Sequence, residues 1–100
     1  MEELKSMKDN KEDFQLIDVR ESFEYDIVNI DGELIPLNNI INDPQQVSRD
    51  RKTVIHCKSG ARSAVAIQQL ETKFGFTNLY NLKGGVLAWA RQIDTSLPVY

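Results

Sequence analysis

The single cysteine of the chain, Cys57, ends an apolar run and is followed by a short polar loop, in the segment VIHCKSGARSA over residues 54–64. Gly60 permits backbone torsions that a side chain would forbid. A loop that curls into a helix start aims several backbone N–H groups at one point. Lys58 and Arg62 add positive charge, and such a field lowers the pKa of a thiol below its free value of about 8.5. The segment therefore predicts a thiolate nucleophile in an anion-binding loop.

An inert core thiol is the alternative for Cys57, since free cysteine is among the most buried residue types. Its place at a strand end, just before a glycine and two bases, favours the functional interpretation. His56 is not expected to pair with it, because adjacent strand residues point to opposite faces. A packed, hydrogen-bonded imidazole is expected instead. One cysteine and one histidine are too few ligands for a zinc site, and neither a metal nor a cofactor is predicted.

Predicted strands and helices alternate along the chain. The strands cover 14–19, 32–37 (an edge strand, because Pro36 lacks an N–H), 52–57 and 77–82. The helices cover 2–9, 21–27, a segment starting at Asp43 and Pro44, 62–74 (ended by Gly75), and Val86 to Ile93. Alternation of this kind predicts an α/β domain with a mainly parallel sheet. Ligands of such sheets bind beyond the carboxyl ends of the strands, where Cys57 lies.

Composition narrows the classes of function. One hundred residues make one domain, residues 1–100, and the net charge of −3 has no lysine/arginine block longer than two. Nucleic acid is therefore excluded as an expected partner. The N-terminal MEELKSMKDNKED has no apolar run typical of a signal peptide, and no stretch is long enough to span a membrane. A lone thiol fits a reducing compartment, so a cytoplasmic location is expected.

The segments LIDVRESFEY, VIHCKSGARSA and NLYNLKGGVLAW, in this order and spacing, resemble a rhodanese-like domain. The resemblance covers nearly the whole chain and implies a three-layer α/β fold, with four to five mainly parallel strands and helices on both faces. It also implies a sulfurtransferase in which Cys57 takes the outer sulfur of thiosulfate or of a donor persulfide and passes it to a nucleophilic acceptor. The substrate-binding residues would be Lys58, Ser59, Gly60, Ala61 and Arg62, with the two bases holding a small anionic sulfur donor.

Two other functions remain open at this stage. A cysteine phosphatase or arsenate reductase also places HC before a glycine-containing loop that ends in Arg-Ser. In cysteine phosphatases the loop has one residue more, whereas only four residues separate Cys57 from Arg62. A non-catalytic rhodanese-like interaction or regulatory module is the second alternative, and the intact CKSGAR loop argues against it.

A finer resemblance joins IVNIDGELIPL and LKGGVLAWARQIDTSLPVY to the C-terminal rhodanese-like domain of bacterial adenylyltransferases of the ubiquitin-activating type. It implies an adenylyltransferase domain and a ubiquitin-like sulfur-carrier protein as partners, with the carrier's C-terminus as sulfur acceptor. It further implies that the chain is an excised C-terminal domain that lacks the family's first edge strand. The family's usual Gly-His-Ile-Pro-Gly stretch is replaced at residues 28–32.

Other residues are expected to support the loop. Asp18, Arg20 and Glu24 resemble the family's ion-pair framework behind the active loop, and Asp18 and Arg20 could line the cleft. The Gly84–Gly85 turn is expected to form one wall of the site with its backbone. Trp89 is expected in the core, and residues 96–100 as a tail.

Overall fold

The computed structural model describes residues 2–100. Within them, four short strands form one sheet that five helices surround. The elements in chain order are α1 (Glu2–Asp9), β1 (Phe14–Asp18), α2 (Ser22–Ile27), β2 (Glu33–Leu34), α3 (Leu37–Asn42), β3 (Lys52–His56), α4 (Ala61–Phe74), β4 (Leu79–Asn81) and α5 (Gly85–Gln92).

The sheet has the strand order β2-β1-β3-β4, and every neighbouring pair is parallel. The two central strands run in register, with Ile17 opposite Ile55 and Asp18 opposite His56. Parallel strands end at the same edge of a sheet, so the segments after β1 and β3 meet there. The predicted α/β fold with a parallel sheet is confirmed, and Cys57 follows β3 at this edge.

Each face of the sheet packs against its own pair of helices. Ile17 and Ile55 point to one face, while Leu16 and Val54 point to the other, as the period of two in a strand requires. The first face is covered by buried residues of α3 and α4, including Ile40, Ala66 and Leu70. The second is covered by α1 and α5 through Leu4, Met7, Val86 and Trp89. Helices thus cover both faces, and Trp89 lies in the core as expected.

The prediction of a helix that starts at Asp43 and Pro44 is wrong. The helix in this region, α3, comes earlier: Pro36 precedes it as N-cap and Asp43 ends it as C-cap. Its sequence LNNIIN is rich in asparagine and isoleucine, which are mediocre helix formers. Burial of Ile40, with no exposed surface, decides the structure here instead of intrinsic propensity. The predicted edge strand exists as β2, but it is only two residues long.

The segment after α5 is not a free tail. It turns at Asp94, whose carboxylate accepts hydrogen bonds from the Ser96 N–H and hydroxyl. Leu97 and Tyr100 then pack against the core on the α1/α5 face of the sheet. Tyr100 reaches the carboxyl edge of the sheet in this way. None of the helices within residues 2–100 has the length and apolar character needed to cross a bilayer.

Candidate active site

The sulfur of Cys57 lies in a ring of hydrogen-bond donors, here named the thiol cup. Its Sγ accepts hydrogen bonds from the Gly60 N–H at 3.1 Å and the Ser63 N–H at 3.5 Å, and the Ser63 hydroxyl lies 3.5 Å away. These groups belong to the loop after β3 and the first turn of α4, as the sequence predicted for loop amides. Cys57 itself has no exposed surface.

The cup changes the acidity of the thiol. Burial raises the pKa of Cys57, because the charged form loses water. Hydrogen bonds from the hydroxyl and N–H of Ser63 and from the loop amides of Gly60 and Ser59 more than offset this, and the pKa lies below its usual value. The expected direction is confirmed. The loop amides contribute as expected, but the Ser63 hydroxyl is the largest cause that lowers the pKa of Cys57, ahead of the two basic side chains.

The thiol cup includes a residue that the sequence analysis missed, Ser63. Its hydroxyl lies 2.6 Å from Asn81 Oδ1 and 3.1 Å from the Gly60 carbonyl, so β4 and the loop both hold it in place. An ionised sulfur is a stronger acceptor than either neutral oxygen, so the Ser63 hydroxyl, 3.5 Å from Sγ, is able to donate to a Cys57 thiolate. The sequence carried a signal: Ser63 is a polar residue on the buried face that Ala66 and Leu70 continue along α4.

The shape of the loop depends on two glycines. Gly60 has a φ of 106°, in the left-handed region that side chains disfavour. A Cβ on Gly85 would lie 2.4 Å from the carbonyl oxygens of Cys57 and Lys58. This close approach lets the Val86 and Leu87 N–H groups at the start of α5 donate to those two carbonyls, at 3.0 and 3.1 Å. Because α5 binds these carbonyl groups, they point away from Sγ and the loop N–H groups face it. The Gly84–Gly85 turn therefore forms the expected wall of the site.

Arg62 lies at the start of α4, but its charge is not free. Its two terminal nitrogens donate to the two carboxylate oxygens of Glu24 at 2.6 and 2.8 Å. Glu24 also accepts from the Glu21 N–H at 2.9 Å and from the Tyr100 hydroxyl at 3.1 Å. The guanidinium of Arg62 is the largest cause that lowers the pKa of Glu24 to about 2. Arg62 is therefore one half of an ion pair, and its role in holding the donor stays a prediction.

Asp18 and Arg20 form a second ion pair, and neither side chain has any exposed surface. Arg20 donates hydrogen bonds to both Asp18 carboxylate oxygens, and its Nη1 donates a 2.8 Å hydrogen bond to the Tyr100 hydroxyl. Both residues are framework behind the loop, as the resemblance implied. They do not line an open cleft, which corrects the other expectation for them. We call Asp18, Arg20, Glu24, Arg62 and Tyr100 the charge network.

His56 does not contact the sulfur. Its ring is buried, with Nδ1 3.4 Å from the Cys57 carbonyl oxygen and Nε2 3.7 Å from Asp18 Oδ2. Burial lowers the pKa of His56, so the ring is neutral at neutral pH. The expectation of a packed imidazole without a catalytic dyad agrees with this placement, although only Nδ1 has a hydrogen-bond partner among residues 2–100.

The remaining predicted site residues lie at the rim. Ser59 is exposed, and Ala61 is the exposed first residue of α4. The half-buried Lys58 extends over the ring of Tyr100, with Nζ 4.3 Å from the ring centroid. The loop thus brings all six predicted residues to one edge of the sheet, with Cys57 innermost.

A family model described as "Rhodanese-like domain" matches residues 1–92. The chain belongs to the rhodanese-like domain family. This confirms the family expected from the three segments, and every predicted site residue falls within the match.

Curated relatives of this rhodanese-like domain include larger proteins. One is the probable adenylyltransferase/sulfurtransferase MoeZ of Mycobacterium tuberculosis, 40% identical over 102 residues that cover 98% of this chain and 26% of MoeZ. Another is the adenylyltransferase and sulfurtransferase uba4 of Ogataea parapolymorpha, 33% identical over 85% of this chain and 22% of that protein. The chain spans about a quarter of the length of these relatives.

Solved structures agree with the family. The rhodanese-like domain protein of Staphylococcus aureus superposes with a TM-score of 0.80 at 29% identity, covering 99% of this chain and 93% of that one. The reduced CoADR-RHD protein of Bacillus anthracis gives 0.81 at 29% identity, covering 99% of this chain and 17% of the other. The rhodanese-like fold is thus shared across the whole described chain.

Proposed function

We propose that the protein is a sulfurtransferase that carries sulfane sulfur as a persulfide on Cys57. The observation that carries the proposal is the thiol cup: a cysteine with a lowered pKa that accepts hydrogen bonds from the Gly60 N–H and from Ser63. A thiolate is the nucleophilic form of cysteine. The same donors suit a persulfide, whose terminal sulfur also carries negative charge.

The reaction has two covalent steps. In the first, the Cys57 thiolate attacks the outer sulfur of thiosulfate, an Sγ–S bond forms, and the S–S bond of thiosulfate breaks with its electron pair leaving on sulfite. In the second, an acceptor nucleophile attacks the outer sulfur of the persulfide, and the electron pair of the Sγ–S bond returns to Sγ. With cyanide as acceptor the product is thiocyanate. No oxidant or reductant is consumed when cyanide is the acceptor. A donor persulfide replaces thiosulfate without changing the balance, with a thiolate as the leaving group.

For the physiological acceptor, we propose the adenylated C-terminus of a ubiquitin-like sulfur carrier. Here the acceptor is the electrophile: the outer sulfur of the Cys57 persulfide attacks the acyl carbon, and AMP leaves. A thiol reductant then attacks Sγ, the thiocarboxylate leaves with the electron pair of the S–S bond, and a second thiol frees Cys57 as the thiolate.

The choice of this acceptor rests on the relationship to adenylyltransferase/sulfurtransferase proteins and on the resemblance of residues 84–100. The adenylyltransferase would act with this domain on one chain or as a separate protein, and linkage would raise their effective concentration. A reactive thiol without a disulfide partner suits a reducing compartment, so we place this activity in the cytoplasm.

Thiosulfate and cyanide test the chemistry directly. Incubation with thiosulfate should add the mass of one sulfur to the protein, and cyanide should then remove it as thiocyanate. Since the chain has one cysteine, Cys57→Ser should give neither result. Turnover by Cys57→Ser, or an unreacted wild-type protein, would contradict the proposal.

Assays of the same protein with other substrates distinguish the two alternative functions, a phosphatase and an interaction module. Hydrolysis of an aryl phosphate faster than sulfur transfer would identify a phosphatase. We expect negligible hydrolysis, because four residues between Cys57 and Arg62 leave the loop one short of the phosphatase length. An interaction module would bind partners without taking up sulfur from any donor.

A further inference from the structure

The two cations of the active loop differ in how their charge is balanced. Both terminal nitrogens of Arg62 are bound to Glu24, so this pair has no net charge. Within residues 2–100, no carboxylate lies within ion-pair distance of Lys58 Nζ. Its neighbour is instead the Tyr100 ring, 4.3 Å from Nζ to the centroid. An aromatic face attracts an ammonium without neutralising it, so Lys58 keeps its full charge for an anion.

Tyr100 is itself held in place by buried groups. Its hydroxyl accepts a 2.8 Å hydrogen bond from Arg20 and donates a 3.1 Å hydrogen bond to Glu24. Its side chain also packs against the core on the α1/α5 face. The ring is therefore a fixed platform, whereas a free lysine side chain samples many rotamers. Tyr100 lies outside residues 1–92, which the family model matches, yet it contacts both halves of the charge network.

We propose that Tyr100 is a positioning residue for the sulfur donor: its ring holds the uncompensated ammonium of Lys58 at the rim of the active loop, where the anionic end of the donor binds. The inference rests on the proposed function and deepens it. It assigns donor recognition to the Lys58–Tyr100 pair, whereas Arg62 serves to hold Glu24. Arg20 supports the platform and does not meet the donor, because it is buried.

Kinetics with thiosulfate and cyanide test the pair in four proteins: wild type, Tyr100→Ala, Lys58→Met and the double variant. We expect Tyr100→Ala to raise KM for thiosulfate about two- to fivefold, the range of an exposed cation–aromatic contact, with kcat within about twofold of wild type. In the Lys58→Met background, Tyr100→Ala should raise KM no further, because the ammonium it positions is gone. Tyr100→Phe keeps the ring but loses the hydroxyl that Arg20 and Glu24 bind, so its KM should lie between those of wild type and Tyr100→Ala.

Tyr80→Ala is a matched control. Lys52 Nζ lies 5.1 Å from the centroid of the Tyr80 ring, so this variant also removes a lysine–tyrosine pair. Lys52 begins β3, at the end of the strand opposite Cys57. KM for thiosulfate should therefore stay at the wild-type value in Tyr80→Ala, and a rise equal to that of Tyr100→Ala would overturn the inference.

A second readout does not depend on turnover. Sulfate, an inert dianion, should protect Cys57 from iodoacetamide at constant ionic strength, and the protecting concentration should rise about two- to fivefold in Tyr100→Ala but not further in the double variant. The inference is overturned if sulfate gives no protection in wild type, if the two substitutions act additively, or if Tyr100→Ala only speeds alkylation, which would make Tyr100 a gate. If thiosulfate leaves no sulfur on Cys57 while sulfate protection still depends on the pair, the proposed function fails and the anion site stands.

Discussion

The thiol cup and the charge network lie side by side at one edge of the sheet, and they are built differently. The cup uses neutral donors, namely backbone N–H groups and the Ser63 hydroxyl, and it spans residues 57–63 with support from Asn81. The charge network uses two ion pairs, which the Tyr100 hydroxyl joins by hydrogen bonds to Arg20 and Glu24. Its cations are bound to its own carboxylates, Arg20 to Asp18 and Arg62 to Glu24.

Positive charge could have served both to acidify the Cys57 thiol and to hold the elements around the loop in place, but in this protein different groups do the two. A cation facing Sγ would also stabilise the thiolate. Here hydrogen bonds lower the pKa of Cys57, while the ion pairs fix the position of α2, α4 and Tyr100 around the loop. The network therefore acts on stability and placement, and the cup acts on chemistry. Substitutions in the two regions should show different kinds of effect.

The largest expected effect is on stability, from the buried end of the charge network. Asp18→Asn leaves the Arg20 guanidinium buried without its counter-charge, and should lower the free energy of unfolding by about 3–5 kcal/mol. Asp13→Asn is the control: its pair with Arg51 is 3.4 Å long and Asp13 is 82% exposed, so the change should be within about 0.5 kcal/mol. Urea unfolding of both variants measures this. Equal losses would show that burial of the network contributes nothing.

A glycine pair tests the wall of the cup. Gly85→Ala places a methyl group against the Cys57 and Lys58 carbonyls and should cost about 3 kcal/mol, with turnover lowered roughly tenfold or more because the loop shifts. Gly75→Ala has a similar positive φ, 72° against 60°, but its Cβ would meet nothing within 4 Å. It should cost about 1 kcal/mol, from backbone strain alone, and leave turnover unchanged. If both variants behave alike, close approach of α5 does not shape the loop.

A smaller effect depends on pH. The pKa of Glu24 is about 2 in the folded protein and 4.5 for a free side chain, so its carboxylate stabilises the fold above about pH 4.5. That stabilisation is lost as the pH falls toward 2. Glu24→Gln should therefore cost about 2 kcal/mol at pH 7, a value discounted because Arg62 is 35% exposed. The gap between the two proteins should close between pH 5 and pH 2. A constant gap across this range would contradict the pairing.

Much of the cup could be predicted from sequence because its parts are local. Gly60, the strand end and the start of α4 are neighbours along the chain, and the same patterns gave the parallel fold. Ser63 was missed because it lies just past the CKSGAR loop, in the first turn of α4. The partners within the charge network could not be predicted from sequence. Glu24, Arg62 and Tyr100 come together only when the sheet has formed and the C-terminal segment has packed against it. The helix α3 was missed for the same reason: burial of Ile40 outweighs weak helix formers.

The central claim is that the neutral donors of the cup lower the pKa of Cys57 more than the loop cations do. The rate of alkylation by iodoacetamide against pH tests it, and the single cysteine makes the label specific. The midpoint for wild type should lie below the usual thiol value. Ser63→Ala should raise it by about one unit, while Lys58→Met should move it by less than half as much. A larger shift in Lys58→Met than in Ser63→Ala would contradict the account.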